Sequence, residues 1–239
     1  MEQRLEKWNN WIDQICDDVV KLMRYRYIFK EIMDIGNKNP YLRNHKQNPF
    51  VEYIQNTYVA FIANILRRQL KREQHNSFTQ LLYEISETPK LLSLELFLEN
   101  LNQSEHKNAE DIFLTEFAGS QTTFVDPKRV NQDLRELTER GDSFVSIADK
   151  CIIHNDIQHP NVEPAFQEVH NCIDLLEHLF RKYWLLFKGE TLENDWWIIE
   201  DNWKDIFLQP WILPNNESNM DSTDWWNVEG DKEWDEWTP

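Results

Sequence analysis

Residues 126–156 read DPKRVNQDLRELTERGDSFVSIADKCIIHND, and this stretch decides how the rest of the chain is interpreted. Asp126 before Pro127 is a typical helix start, because the carboxylate can cap the first turn and proline lacks only an N–H that needs no partner there. Small and apolar side chains then recur every three or four residues; they are Val130, Leu134, Leu137, Gly141, Phe144, Ala148 and Cys151. The pattern predicts one long helix that ends in a polar cluster.

The same helical period recurs on both sides of this segment. It predicts further helices at about residues 5–29, 51–66, 78–85, 91–101 and 169–187. Ser77 or Asn76 is a predicted N-cap, Gly189 a predicted C-terminal stop, and the leucine-rich segment 91–101 a helix buried on more than one side. Only 5 glycines and 9 prolines interrupt 239 residues. Because so few residues break helices, we predict an all-α fold, an antiparallel helical bundle of five or more helices.

The last fifty residues differ in composition from the rest. Residues 190–239 hold 14 acidic and 2 basic residues, a local charge of −12 within a total of −17, and 8 of the 11 tryptophans. Residues 1–189 are much closer to neutral, with 28 acids and 23 bases. We therefore predict two units, a helical bundle at residues 1–189 and an acidic, Trp-rich C-terminal extension at residues 190–239 that is partly docked or irregular.

Several classes of protein are disfavoured by the composition. No apolar run approaches the roughly 20 residues of a membrane span, and the first ten residues lack the features of a secretory signal. Cys16, Cys151 and Cys172 are far apart and form no paired motif, which favours reduced, largely buried thiols. The sequence therefore predicts a cytoplasmic protein without a membrane association.

The polar cluster at the end of the central helix is the strongest candidate for a chemical site. Lys150, His154, Asn155 and Asp156 lie within seven residues. An imidazole titrates near neutral pH and can transfer protons, and a nearby carboxylate can orient it. The alternative is a helix C-terminus with a solvated polar rim, and the residues alone favour that alternative.

A second candidate is the basic cluster at the end of the helix predicted after Pro49. Arg67, Arg68, Lys71 and Arg72 can form a ridge that binds phosphate, or a solvated helix end whose cations complement the helix dipole. His170 and His178 suggest metal ligation, but eight helical residues separate them by roughly 12 Å, too far for one ion. We therefore predict no metal and no other cofactor.

Three stretches of this chain, taken in order, resemble the AbiU group of HEPN-type bacterial abortive-infection proteins. The first runs from Asn48-Pro-Phe through Tyr58 to Ile65-Leu-Arg67-Arg68-Gln69. The second is Ser77-Phe-Thr-Gln-Leu81-Leu82, and the third runs from Ala148-Asp149-Lys150 to His154-Asn155-Asp156. The resemblance covers most of residues 1–189 and none of the acidic extension.

The resemblance implies a fold, an activity and an assembly. HEPN-like domains are helical and usually dimeric, and many are metal-independent ribonucleases of antiviral defence or toxin–antitoxin systems, with one cleft shared by two subunits. It thus implies a homodimer that cleaves RNA with His154 as acid or base, Lys150, Asn155 and Asp156 beside it, and the basic cluster binding RNA.

This chain departs from the family signature at one important position. In the signature, four to six residues separate an arginine from the histidine that follows it, whereas Ile147, Ala148 and Asp149 occupy the corresponding arginine positions before His154. Lysine is a poorer planar clamp for phosphate than arginine. An alternative is therefore a catalytically inactive HEPN-like interaction module whose acidic aromatic tail binds a protein partner or covers a basic groove.

Overall fold

The structure is a computed structural model that describes residues 2–39, 49–72, 76–101, 108–119, 123–152, 162–194, 196–198 and 202–208; at positions 142–143, 145–152 and 162–165 only the backbone is described. The described α-helices are α1 Glu2–Lys38, α2 Pro49–Leu70, α3 Phe78–Glu87, α4 Leu94–Asn100, α5 Ala109–Phe113, α6 Pro127–Ile152 and α7 Val162–Lys188. Short 3₁₀ helices lie at Pro89–Leu91 and Trp203–Leu208, and a π-helical turn at Leu114–Ala118 follows α5.

The predicted all-α class is confirmed for the described part of the chain. There, extended pairing is limited to one isolated bridge between Ser93 and Phe124. The caps that set the helix ends also agree with the sequence. The Ser77 hydroxyl accepts a hydrogen bond from the Gln80 amide at 3.1 Å, and the Asp126 carboxylate accepts one from the Lys128 amide at 2.9 Å.

α7 ends at Gly189, where the backbone conformation and the space available both favour glycine. Its φ of +66° lies in the left-handed region, and a Cβ here would lie 2.3 Å from the Asn100 carbonyl oxygen. The side-chain amide of Asn100 in turn donates to the carbonyl of Phe187 at 3.1 Å. The end of α7 is therefore fixed against the end of α4 by a close approach of two backbones.

Paired contacts establish the directions of the principal helices. On α1 and α2, Asp18 pairs with Arg68 and Phe29 with Tyr58, so rising numbers on one helix meet falling numbers on the other. The same order relates α1 to α7, since Asp13 pairs with Lys188 and Phe29 stacks on Phe166. It also relates α6 to α7, where Asp133 binds Lys182 and Arg140 binds Glu168. These three helix pairs run antiparallel.

The core lies between these helices and is built from their apolar stripes. The largest fully buried side chains come from α1, α2, α3 and the C-terminal half of the bundle; they include Trp8, Ile12, Ile62, Phe78, Phe113, Phe144, Phe180 and Tyr183. Gly141 allows α6 to approach α2 closely, because a Cβ there would lie 3.0 Å from the Leu70 Cβ. Leu137 and Phe144 of the predicted α6 face are buried as expected.

The leucine-rich segment differs from its prediction. The helix α4 is only 7 residues long, and Phe97 is its one fully buried residue. All leucines of the segment are buried or partly buried against the core, so the segment differs from the prediction in the length of its helix. Its preceding residues form a 3₁₀ turn because Pro89 starts a new backbone direction there.

The chain divides into two compact units, Met1–Ile198 and Ile199–Pro239. The first unit therefore includes nine residues beyond the end of the predicted bundle at residue 189. Within it, Leu192, Trp196 and Trp197 pack partly buried against the core. In the second unit, Trp203–Leu208 forms a 3₁₀ helix. None of the helices that the structure describes is both long and apolar enough to span a membrane.

Candidate functional site

The central candidate lies at the C-terminal end of α6. This helix extends to Ile152 and so carries the backbone of Lys150 in its last turn. His154, Asn155 and Asp156 lie outside the described residues, as does the Lys150 side chain. The predicted catalytic roles of these four residues therefore stay predictions.

The basic cluster at the end of α2 is described, and Arg68 within it has a partner. Arg68 donates to the Asp18 carboxylate of α1 through two guanidinium nitrogens, with Nε 2.8 Å from Oδ2. The Asp18 side chain is only 7% exposed, whereas the Arg68 side chain is 45% exposed. Because a buried carboxylate needs compensating charge, the Arg68 guanidinium has a structural role in joining α1 to α2.

Gln69 extends this contact to a third helix. Its side-chain amide donates to Asp18 at 2.6 Å, and its side-chain oxygen accepts from the Phe78 amide at 3.0 Å. The Gln69 carbonyl also accepts a hydrogen bond from the Thr79 hydroxyl at 3.2 Å. We call Asp18, Arg68, Gln69, Phe78 and Thr79 the Asp18 network. It satisfies the polar groups that three helices bury together.

The Asp18 network also joins two of the stretches quoted for the family resemblance. Arg68 and Gln69 belong to the first stretch, and Phe78 and Thr79 belong to the second. The third stretch begins on α6, which packs against both α2 and α3. Arg68, which the sequence suggested for RNA binding, thus shares a buried structural contact with its neighbours.

The other members of the basic cluster differ in their environments. The Arg72 guanidinium lies 3.4 Å from the centre of the Tyr83 ring, a cation–π contact with α3. Arg67 is half-buried, and Lys71 is exposed. Within the described part of the chain, Lys71 makes no ion pair, so its charge is directed at solvent.

The basic cluster and the end of α6 are separated along the helix axis. Leu70, next to the cluster, contacts α6 at Gly141. Lys150 lies nine residues further along α6, which corresponds to roughly 13 Å. The contact between α2 and α6 therefore does not bring a guanidinium of the basic cluster to the Lys150 backbone.

Sequence reasoning missed an aromatic site between α1, α2 and α7. The Phe29 and Tyr58 rings are parallel, with centroids 3.9 Å apart, and Phe166 stacks on Phe29 at 5.5 Å. His170 contacts the Tyr58 ring edge-on at 6.3 Å. We call these four residues the Phe29 stack. Phe29 and Tyr58 were visible in the helical pattern, but only the tertiary fold places them with Phe166 and His170.

The Phe29 stack holds its titratable groups in their neutral forms. Burial, with the nearby charges of Lys30 and Arg26, lowers the pKa of His170 to about 4, although Asp174 opposes this shift. Burial likewise raises the pKa of the Tyr58 hydroxyl well above its ordinary range. Among the described residues, neither the Tyr58 hydroxyl nor the His170 Nε2 has a hydrogen-bond partner.

The outer rim of the Phe29 stack is an ion-pair cluster rather than a metal site. Arg26 contacts the Asp174 carboxylate and lies 3.5 Å from the Glu177 carboxylate. The Arg26 side chain is only 12% exposed, so its charge is largely neutralised by these acids. Within the described residues, no group of three potential ligands is arranged to hold a metal ion.

The first residues beyond α7 follow the surface of the bundle. The Trp196 ring stacks on Phe180 with centroids 5.7 Å apart. The Arg24 Nε of α1 donates to the Trp197 carbonyl at 2.9 Å, and the Trp197 ring contacts Tyr27. Aromatic anchors therefore hold this part of the acidic extension within the first compact unit.

Comparisons with models of protein families, with curated proteins and with solved structures give no match. The resemblance to HEPN-type proteins thus rests on the three quoted stretches alone.

Proposed function

We propose that this chain is a HEPN-like protein of the phage-defence or toxin type that acts on RNA. One observation carries the proposal. The residues of the first two resembling stretches meet in the Asp18 network, and the helix that begins the third stretch packs against both. A shared buried contact gives a structural reason for the residues of these stretches to be present in the same chain. It supports treating the three stretches as parts of one helical domain.

The proposed activity is metal-independent cleavage of RNA in a cleft shared by two copies of the chain. Such cleavage needs a base for the 2′-hydroxyl proton, an acid for the leaving oxygen and positive charge for the phosphorane. His154 from each copy would supply the base and the acid, with Asn155 and Asp156 orienting it. Lys150 would supply the charge, because the Arg68 guanidinium already binds Asp18.

Incubating the purified full-length chain with total RNA in the presence of a chelator tests this activity. We expect cleavage by the natural sequence and its loss in His154→Ala. His178→Ala is a matched control, since His178 is an exposed histidine on α7. Equal cleavage by the natural chain and His154→Ala would contradict the role of His154.

The shared cleft requires a homodimer, which a second measurement tests. Sedimentation equilibrium should give the mass of two chains of 29.0 kDa. A monomer at the concentration at which cleavage occurs would contradict the composite site.

The second candidate function is a catalytically inactive HEPN-like interaction module that holds a protein partner through its acidic aromatic extension. The engagement of Arg68 by Asp18 favours it, because this arginine cannot replace the one missing before His154 without leaving a buried carboxylate. The absence of cleavage in both the natural chain and His154→Ala, together with capture of a basic partner that requires residues 199–239, would favour this candidate.

A further inference from the structure

We propose that the outer face of α1 and α2 around Tyr25 and Phe61 binds single-stranded RNA, with the two rings stacking on bases and Lys21 and Arg24 contacting phosphates. We call these four residues the Tyr25–Phe61 surface. The choice of RNA as the ligand rests on the proposed function. The surface itself lies on α1 and α2 and does not include the candidate residues at the end of α6.

Two large rings lie side by side on the outside of the bundle. Tyr25 is 42% exposed and Phe61 is 41% exposed, and their centroids are 4.6 Å apart in an edge-to-face arrangement. Tyr53, about two helical turns before Phe61 on α2, is 64% exposed. Single exposed apolar residues are common, but adjacent exposed rings on two rigid helices form a stacking platform.

The charge around these rings is opposite to that of the whole chain. Residues 19–30 and 53–72 contain eight lysines and arginines and no acidic residue, within a chain of net charge −17. The contacts of Phe29 with Tyr58 and of Tyr25 with Phe61 place the two stretches side by side. Asp18 pairs with Arg68, and Asp174 and Glu177 pair with Arg26, so these two arginines add little to the charge that a ligand meets.

Two cations close to Tyr25 along α1 have charge available for a ligand: Lys21 lies one turn before Tyr25, and Arg24 directly precedes it. The Lys21 side chain is 51% exposed, and its Nζ is 3.9 Å from the buried Asp18 carboxylate. Arg24 is exposed and donates to the Trp197 carbonyl, which orients the guanidinium without neutralising it. Arg26 does not belong to the surface, because it is mostly buried and paired with Asp174 and Glu177.

A surface of aromatic rings and cations fits a single-stranded nucleic acid better than it fits a second copy of this protein. Unpaired bases stack on aromatic side chains while lysine and arginine bind the intervening phosphates. If a second copy bound to this face through a twofold axis, its lysines and arginines would lie against the lysines and arginines of the first copy. Like charges in a contact oppose association, so the polyanion is the complementary ligand.

Fluorescence anisotropy with a labelled oligouridylate of roughly ten nucleotides tests the proposal. The full chain carries His154→Ala in every sample, so that cleavage cannot consume the probe. We expect Tyr25→Leu and Phe61→Leu each to weaken binding by roughly 5- to 100-fold, because leucine is apolar but offers no ring for stacking. Tyr25→Phe and Phe61→Tyr, which keep a ring, should stay within about twofold of the parent.

The cations are tested with a matched pair of lysines. Lys21→Ala should weaken binding and reduce its salt dependence by about one phosphate contact. Lys128→Ala, which removes an exposed lysine on α6, should leave both unchanged. Circular dichroism of each variant establishes that a loss of binding is not a loss of fold.

Three outcomes would overturn the proposal. One is no binding by the parent at low salt, and another is equal binding by the leucine variants. The third is a change in mass on gel filtration of the leucine variants with RNA affinity unchanged, which would assign the face to a protein contact. If the natural chain does not cleave RNA but the leucine variants lose binding, the nuclease proposal fails and the surface stands.

Discussion

The contact between α1 and α2 changes its chemistry along its length. At one end, the Asp18 network joins the helices through a buried carboxylate, a guanidinium and an amide. At the other end, Phe29 and Tyr58 stack face to face, with Phe166 and His170 beside them. One pair of helices is thus held by charge at one end and by apolar area at the other.

This difference shows what each chemistry contributes. A buried ion pair stabilises little relative to well-packed apolar residues, but breaking it by removing one partner is costly, so it fixes which side chains must meet. Stacked aromatic side chains stabilise the fold directly because they bury apolar surface, and their contacts tolerate small shifts in position. We therefore expect the Phe29 stack to supply stability and the Asp18 network to fix the register of three helices.

The largest expected effect follows from truncating the stack. Phe29→Ala should lower the free energy of unfolding by about 3–5 kcal/mol, because Phe29 is 8% exposed and contacts two other rings. Urea unfolding followed by circular dichroism measures the change. Phe50→Ala, at a ring that is 45% exposed on the same helix pair, is the comparison. Equal losses in the two variants would show that the stack is not a principal source of stability.

Breaking the Asp18 network should have the next largest effect. Arg68→Ala should cost about 2–4 kcal/mol, because it leaves a buried carboxylate with only Gln69 and the distant Lys21 ammonium. Lys71→Ala, one turn away and exposed, should change stability by less than about 0.5 kcal/mol. The same urea titration compares them.

The Arg68 variant also separates the two roles of this residue. If Arg68→Ala lowers RNA affinity but leaves the free energy of unfolding unchanged, its contact with Asp18 is not structural and the RNA-binding role stands alone.

The Phe29 end of this contact should respond to acid. His170 has a pKa near 4 in the folded chain against an ordinary value of 6.5, so between these pH values the unfolded chain binds a proton that the folded chain does not. The free energy of unfolding should therefore fall as pH falls from about 6.5 towards 4. Below pH 4 His170 is protonated in both states, so its contribution no longer changes with pH. The groups facing His170 are Tyr58, Lys30, Arg26 and Asp174.

Comparing thermal unfolding of the natural chain and His170→Gln across this pH range isolates the contribution. The variant should show a shallower loss of stability, whereas His178→Gln, at an exposed histidine, should follow the natural chain. Parallel curves for all three chains would mean that His170 is not held neutral by the stack.

The smallest effect is expected at the hydroxyl of Tyr58. This hydroxyl is buried and has no hydrogen-bond partner among the described residues. Tyr58→Phe should therefore change the free energy of unfolding by less than about 1 kcal/mol, and towards greater stability, because no bond is lost and a desolvated polar group is removed. A loss larger than this would reveal a bonded hydroxyl and make the Phe29 end as polar as the other.

Much of the fold was predictable because its signals are local. The period of apolar residues from Val130 to Phe144 fixed the buried face of α6, and Asp126 and Ser77 marked helix starts through their own side-chain bonds. The helix in the leucine-rich segment is shorter than predicted, because the 3₁₀ turn at Pro89–Leu91 and the Ser93 N-cap place its start at Leu94.

The candidate site was less predictable, since its components depend on distant contacts. From the sequence, Arg68 could bind RNA or belong to a solvated helix end, and only α1 supplies the carboxylate that binds it. The spacing of His170 and His178 argued against a shared metal ion and gave His170 no other role, and only the approach of α2 places a ring against it.

The sequence by itself determined that this protein is helical, that helices begin next to Ser77 and Asp126 and end next to Gly189, and that its charge and tryptophans are concentrated in the last fifty residues. Those features follow from interactions between near neighbours along the chain, such as caps, glycine conformations and apolar spacing. The tertiary structure alone decided which charges are neutralised and which rings stay exposed. Burial and pairing join residues more than forty positions apart, and no local pattern specifies such pairs.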